Sequence, residues 1–112
     1  MPHPIRWLLF LSLSLTACNR TDNHFSVADQ DGRIAGADVH LCGREVSLSK
    51  HGQEFVGKAR IDCEGSGAIL VELKDGRTVS CKVGYVTPGA VQAFRFKLQE
   101  TECRSDGAMG FM

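Results

Sequence analysis

Histidine, serine and carboxylate side chains are the candidates for catalysis, and few of them stand at catalytic spacings. Asp38 and His40 are two residues apart, as are Glu100 and Glu102, so each pair shares one face of an extended strand. Such pairs on a half-exposed strand are usually solvated polar neighbours. No serine lies in the G-x-S-x-G motif that exposes a nucleophile on a sharp turn. We therefore predict no catalytic residue and no enzymatic activity.

The first seventeen residues have the layout of an export signal. Arg6 supplies a positive charge, and a nine-residue apolar core, interrupted by Ser12 and Ser14, extends from Trp7 to Leu15. A transmembrane helix needs about 20 apolar residues, so this run is too short to span a bilayer by itself. It is followed by Thr16, Ala17 and Cys18. Small residues suit a signal peptidase, and the cysteine thiol can carry a lipid thioether.

The sequence Leu-Thr-Ala-Cys at 15–18 resembles the lipobox of bacterial lipoproteins. The resemblance covers residues 1–18 and implies nothing about the fold that follows. It implies that the chain is cut before Cys18 and that Cys18 is diacylglyceryl-modified and N-acylated, with palmitate among the expected groups. Several acyl chains anchor a protein firmly, since each buried CH₂ contributes about 0.8 kcal/mol. Asn19, in place of Asp, favours the outer membrane, facing the periplasm, by resemblance to enterobacterial sorting.

Four of the five cysteines lie beyond Cys18, in the segment predicted to fold. Cys42, Cys63, Cys81 and Cys103 form an even set in a small exported chain, which predicts two disulfides. The alternative is a metal site that includes His40. However, the sequence has no C-x-x-C pair and no zinc-finger spacing. We therefore expect no metal and no cofactor.

Composition and charge exclude several classes of protein. The chain has 112 residues, and 13 Lys and Arg balance 13 Asp and Glu, so its formal charge is zero. Non-specific nucleic-acid binding needs a basic excess and is not expected. Hydrophobic residues make up 43% and charged residues 23%, as in a folded domain. The sequence therefore predicts one small globular domain and not a polytopic membrane protein.

Three segments follow the signal peptide of residues 1–17. Residues 18–33 are polar and aperiodic, and we predict that they form a lipidated, flexible tether with a root-mean-square reach of about 20 Å. Residues 34–104 are predicted to form the folded domain. Residues 105–112 are predicted to be a loose C-terminal tail.

Apolar and polar residues alternate through the predicted domain, which is the period of a half-buried strand. One apolar stripe runs through residues 37, 39 and 41, and another through residues 94, 96 and 98. We predict an all-β fold, namely a small antiparallel β-sandwich or open barrel of about six strands with two disulfides. A shift of one residue in the strand register would move a whole stripe to the other face of the sheet.

Two turns are predicted to set the register of the strands. Gly43-Arg44 suits a two-residue type II′ turn that places Leu41 opposite Val46. A three-residue loop at 74–76, with Gly76 left-handed, keeps the apolar stripes of the flanking strands on one face. A two-residue turn there would instead bring a glutamate beside the apolar stripe.

Four cysteines allow three pairings, and spacing does not choose among them. A meander through a turn at 50–52 brings Cys42 near Cys63 across the sheet. This arrangement favours the pairs 42–63 and 81–103. Each closed loop would contribute about 3 kcal/mol to stability through the unfolded state.

One loop and one strand face are the candidate contact surfaces. Apolar residues predominate in the loop, and exposed apolar loops are common recognition sites. The strand face is cationic and could meet an acidic partner, although solvated charges that protect a sheet edge are the alternative. The predicted contact residues are Tyr85, Val86, Thr87, Pro88, Arg95 and Lys97. Further cations that could extend the second surface are Lys58, Arg60, Arg77 and Lys82.

Together these observations favour a membrane-anchored periplasmic lipoprotein that acts as a non-catalytic binding or accessory module of the envelope, of the secretion, conjugation or assembly type. We expect an envelope protein as its partner and no nucleic acid. An inhibitor of an exported enzyme such as lysozyme is one alternative. The membrane-bound lysozyme inhibitors carry an S-G-x-x-Y stretch, and here Ser66-Gly67 is followed by no tyrosine. A minor metal-binding or hydrolytic protein is the second alternative, and the oligomeric state stays open.

Overall fold

The computed structural model describes residues 22–89 and 91–106. Within that part the fold is all-β, and two sheets form a sandwich that is not a closed barrel. The fold-class prediction is confirmed, with nine strands in place of about six. The strands are β1 (Asp22–Ala28), β2 (Ile34–Leu41), β3 (Arg44–Ser47), β4 (Ser49–His51), β5 (Glu54–Arg60), β6 (Gly65–Leu73), β7 (Thr78–Val86), β8 (Ala93–Gln99) and β9 (Glu102–Ser105).

The two sheets face each other across one apolar core. One has five strands in the order β4-β5-β1-β8-β9, and the other has four in the order β3-β2-β6-β7. Neighbouring strands are antiparallel except β1 and β8, which are parallel. Phe25 of β1 stacks on Phe94 of β8 with ring centroids 5.1 Å apart. The largest apolar side chains with full burial are Phe25, Ile34, Ile69, Val27, Val39 and Val71.

β1 corrects the predicted tether, because residues 22–33 belong to the folded domain. β1 is the central strand of its sheet and pairs with β5 from Asp22 to Ala28. Phe25 is 1% exposed and Val27 is fully buried, so this strand supplies part of the core. The predicted signal peptide and Cys18 lie outside the described residues.

Two buried polar side chains fasten the ends of β1. Asn23 is fully buried, and its Oδ1 accepts a hydrogen bond of 2.6 Å from the Gln92 amide just before β8. The Asp29 carboxylate is 3% exposed and accepts hydrogen bonds from the amides of Arg33 and Ile34 at 2.8 and 3.2 Å. Because their polar atoms have partners, both side chains can occupy inward-facing positions.

The hairpin between β2 and β3 turns at Cys42-Gly43, and the predicted turn at Gly43-Arg44 is wrong. Cys42 and Gly43 have φ values of 56° and 72°, as in the type I′ turns whose twist matches that of a hairpin. Val39 therefore pairs with Val46, a register shifted by two residues from the prediction. A shift of two residues leaves each side chain on the same face of the sheet, so the apolar stripe of β2 still faces the core.

The hairpin between β6 and β7 has the predicted three-residue loop at 74–76. Gly76 has a φ of 96°, and the Leu73 amide donates a hydrogen bond of 2.8 Å to the Arg77 carbonyl. The Arg77 guanidinium also donates to the Asp75 carboxylate. These hydrogen bonds lower the pKa of Asp75 and raise that of Arg77. Arg77 is thus paired within its own turn.

Covalent links join the two sheets at both sides of the sandwich. On one side, Leu48 carries the chain directly from β3 in one sheet to β4 in the other. On the other side, Cys81 of β7 and Cys103 of β9 form a disulfide with a Cα–Cα distance of 5.2 Å. A second disulfide joins Cys42 and Cys63. The favoured pairings are therefore confirmed.

The C-terminal boundary is also corrected by the structure. Ser105 is part of β9 and pairs with Phe96. The next residue, Asp106, donates its amide to the Arg95 carbonyl at 2.8 Å. The domain therefore continues beyond the predicted boundary at 104, and the rest of the predicted tail, 107–112, lies outside the described residues.

Removal of either disulfide should destabilise the domain to a similar extent. The two loops close over separations of 21 and 22 residues, so loop entropy predicts a loss of about 3 kcal/mol for each pair. Urea unfolding of the Cys42→Ala/Cys63→Ala and Cys81→Ala/Cys103→Ala variants, beside the unmodified protein with and without reductant, measures this loss. An unchanged free energy of unfolding in either variant would contradict the structural role.

Gly67→Ala should destabilise the fold, whereas Gly36→Ala should not. A Cβ at Gly67 would collide with Leu41 Cδ1 and lie 3.2 Å from the His40 carbonyl oxygen, whereas a Cβ at Gly36 meets nothing within 4 Å. Overpacking at Gly67 is expected to cost about 1–3 kcal/mol. The free energies of unfolding of the two variants test this contrast, and equal values would refute the close approach of β2 to β6.

Candidate functional site

Cationic side chains gather on the outer face of the five-stranded sheet. Strand alternation places them there, because the neighbouring residues Ala59, Phe94, Phe96 and Leu98 are buried. We call this surface the basic face and define it by Lys58 and Arg60 of β5, Arg95 and Lys97 of β8, and Arg104 of β9. Four of these five residues are among the cations that the sequence indicated.

Strand register gives the basic face the shape of a trough. β1 lies between β5 and β8 and presents the short side chains of Ser26 and Ala28 outward. Ser26 pairs with Arg95, Ala28 pairs with Lys97, and His24 pairs with Lys58 on the other side. Neighbouring strands lie about 4.8 Å apart, so the β5 and β8 backbones are about 10 Å apart. The two pairs of cations lie diagonally across β1, since Arg60 pairs with Asp22 at its start and Lys97 pairs with Ala28 at its end.

Carboxylates share the basic face with the cations, and Asp22 is the cross-strand neighbour of Arg60. Asp22 and Glu54 stand at opposite ends of the face, and Glu102 and Asp106 stand along the β9 edge. Arg104 is held by Glu102 at 3.2 Å. Within residues 22–89 and 91–106, the other four cations of the basic face have no carboxylate oxygen within 4.0 Å. Their charge is therefore available to a partner.

A β-bulge in β7 decides the position of two predicted contact residues. Gly84 has a φ of 90°, and the pairing of β6 with β7 shifts between Gly67 and Ala68. The shift reverses the alternation, so Tyr85 is 66% exposed and Val86 is buried at 4% exposure. Val86 cannot contact a partner directly, and its assignment to the contact surface is corrected.

The remaining predicted contact residues do not form one surface. Tyr85 lies on the outer side of the four-stranded sheet, and the exposed residues Thr87 and Pro88 follow it at one end of the sandwich. Arg95 and Lys97 lie on the outer side of the five-stranded sheet. The structure therefore separates a loop region from the basic face.

Two of the predicted cations are absent from the basic face, and one basic residue was missed. Lys82 is on the outer side of the four-stranded sheet, opposite Ala68, and Arg77 is paired with Asp75. Arg104 was missed because its strand is short and was placed next to the predicted tail. Its alternation with Cys103, whose disulfide faces inward, is the sequence signal that could have found it.

The Asp38 and His40 side chains have separate partners on β3. Ser47 Oγ donates a hydrogen bond of 2.9 Å to Asp38, and His40 Nδ1 lies 3.7 Å from a Glu45 carboxylate oxygen. His40 also borders a shallow cavity of about 480 Å³ beside Lys82. Acyl transfer uses a series of hydrogen bonds from a nucleophile to a base and from the base to an orienting carboxylate. The structure shows no such series within residues 22–89 and 91–106.

One group of metal-ligand atoms is found among the described residues, and it includes a disulfide. Ligand atoms of Cys42, Asp62 and Cys63 lie within 4.8 Å of one another. The two sulfur atoms are bonded to each other, so neither is the thiolate that a metal requires. Asp62 is also 3.4 Å from the Arg44 guanidinium. This group is therefore a structural link at one end of the sandwich.

Comparisons with known proteins give no match to a family model, a curated protein or a solved structure. Across residues 22–89 and 91–106, no helix has the length and apolar character needed to cross a membrane. The chemistry of the surfaces is therefore the basis for a functional proposal.

Proposed function

We propose that this protein is a lipid-anchored lipoprotein of the bacterial envelope whose β-sandwich is a non-catalytic module that binds an acidic envelope protein. The basic face carries the proposal, because four of its cations are free of carboxylate partners within the described residues. The lipobox-like sequence ending at Cys18 supports the anchor. The two disulfides are consistent with an oxidising compartment such as the periplasm.

Rigid presentation of the cations favours a binding role over simple solvation. The cations of β5 and β8 flank a central strand that is hydrogen-bonded on both edges, so the backbone positions that carry them are fixed before a partner arrives. Preorganised groups bind with a smaller entropic cost than groups on mobile loops. Ser26 and Ala28 are short, so an acidic loop or strand could approach the sheet beside Arg95 and Lys97 and reach Lys58 diagonally across β1.

The free energy of each ionic contact limits how much the basic face can contribute to binding. An exposed ion pair contributes about 0–1 kcal/mol, so tight binding would also require apolar contacts along the trough. Charge complementarity mainly raises the association rate and selects against partners of the wrong charge. We therefore expect the interaction to weaken with ionic strength.

Charge reversal on the basic face should abolish recovery of the partner. We expect Arg95→Glu/Lys97→Glu to lower the yield of a stoichiometric, salt-sensitive envelope partner at least about tenfold, since two attractive contacts become repulsive. The measurement is an affinity pull-down of the full lipidated protein from its own envelope, with the intact mass of the eluted chain reporting lipid at Cys18.

The matched control reverses two charges outside the basic face. Lys74 lies in the β6–β7 loop, and Lys82 lies on the opposite sheet, so Lys74→Glu/Lys82→Glu changes the net charge equally. This variant should retain the partner at the original yield. Equal recovery by both double variants would reject the basic face as the binding surface, and an unlipidated mass would reject the anchor.

A further inference from the structure

The proposed lipid anchor lies very close to the first strand. Cys18 precedes Asp22 by four residues, and four extended residues span at most about 14 Å. Asp22 already pairs with Arg60 in the sheet. If Cys18 carries lipid, as the proposed function requires, the end of the sandwich where β1 begins is held within about 14 Å of the anchoring residue.

Strand directions define which residues share that end. β5 is antiparallel to β1 and finishes there, whereas β8 is parallel to β1 and starts there. The Cys42–Cys63 disulfide brings the β2–β3 turn to the same place. We call this region the anchor-side end, made up of residues 22, 42–43, 61–64, 85–89 and 91. The opposite end of the sandwich carries the turns at 30–33, 52–53, 74–76 and 100–101.

The exposed large apolar side chains of the described residues are both at the anchor-side end. They are Tyr85, at 66% exposure, and Val91, at 37% exposure. The Tyr85 hydroxyl donates a hydrogen bond of 2.9 Å to the Glu64 carboxylate, so its polar atom has a partner while the ring stays exposed. Tyrosine is enriched at membrane interfaces because it combines an apolar ring with a polar tip.

Carboxylates lie at both ends of the sandwich. At the anchor-side end, Arg44 lies 3.4 Å from Asp62 and also donates a hydrogen bond of 2.8 Å to the Arg60 carbonyl. At the opposite end, a shallow cavity of about 480 Å³ is lined by the carboxylates of Asp31, Glu100 and Glu102 among other residues. The other carboxylates of the anchor-side end also lie beside donors, since Glu64 accepts from the Tyr85 hydroxyl and Asp22 is the cross-strand neighbour of Arg60. The docking therefore depends on the short connection to the anchor and on the apolar side chains, and not on charge.

We infer that the anchor-side end rests on the phospholipid surface, with Tyr85 and Val91 in the interfacial region. The membrane that holds the anchor is therefore what covers these two exposed apolar side chains. The strands then stand upright on the bilayer, and the basic face points sideways along it. A partner in or beside the same membrane would meet the basic face without displacing the domain.

A single introduced tryptophan tests this orientation. The sequence contains one tryptophan, Trp7, within the predicted signal peptide, and one tyrosine, Tyr85. Tyr85→Trp therefore gives a unique fluorophore at the anchor-side end of the cleaved protein, and Lys74→Trp gives one at the opposite end. Each lipidated protein is reconstituted in vesicles of phosphatidylethanolamine and phosphatidylglycerol, with or without brominated acyl chains.

Docking predicts different quenching for the two variants. The emission of Tyr85→Trp should shift to the blue and be quenched at least about twofold more strongly than that of Lys74→Trp, since only the interface is within reach of the bromines. The difference should persist at high salt. Equal quenching of the two variants, with lipid on Cys18 verified by mass, would overturn the docking and leave the anchor intact. A chain without lipid at Cys18 would overturn both.

Discussion

The structure depends on the insertion of β1 between β5 and β8. Hydrogen bonds along both edges of β1 join two otherwise separate strand pairs, β4-β5 and β8-β9, into one sheet. The same strand contributes Phe25 and Val27 to the core, and its outer side chains form the floor of the trough between the cations. Because β1 begins four residues after Cys18, its place in the sheet also determines how far the domain can lie from the proposed anchor.

The closure of the sandwich explains why so small a domain can present a rigid surface. A small domain buries only a small core, and small domains commonly add disulfides. Here the Cys81–Cys103 disulfide joins the edge strands β7 and β9, while Leu48 joins the opposite edges through the chain itself. Both sheets are thereby held against one core. The spacing of cations on β5 and β8 consequently follows from strand geometry rather than from loop conformation.

Sequence patterns predicted the parts of the fold where apolar alternation is unbroken, and failed where polar residues or backbone irregularities interrupt it. The stripes of β2 and β8, the β6–β7 loop and the disulfide pairing were all predictable. β1 was missed because Asn23 and Asp29 occupy inward positions, where only their hydrogen-bond partners make burial tolerable. The turn at Cys42 requires a positive φ that a cysteine does not indicate. Tyr85 and Val86 were both predicted as contact residues, and the bulge at Gly84 leaves Tyr85 exposed but turns Val86 inward, so the contact surface was only partly predictable.

The most direct test of this arrangement is amide hydrogen exchange across residues 22–28 in the full lipidated protein. If β1 is the central strand, its amides should exchange only through global unfolding, with protection within about tenfold of that in β6. Exchange at the rate of an unstructured chain would contradict the central position of β1. It would also remove the short connection between the anchor and the sheet.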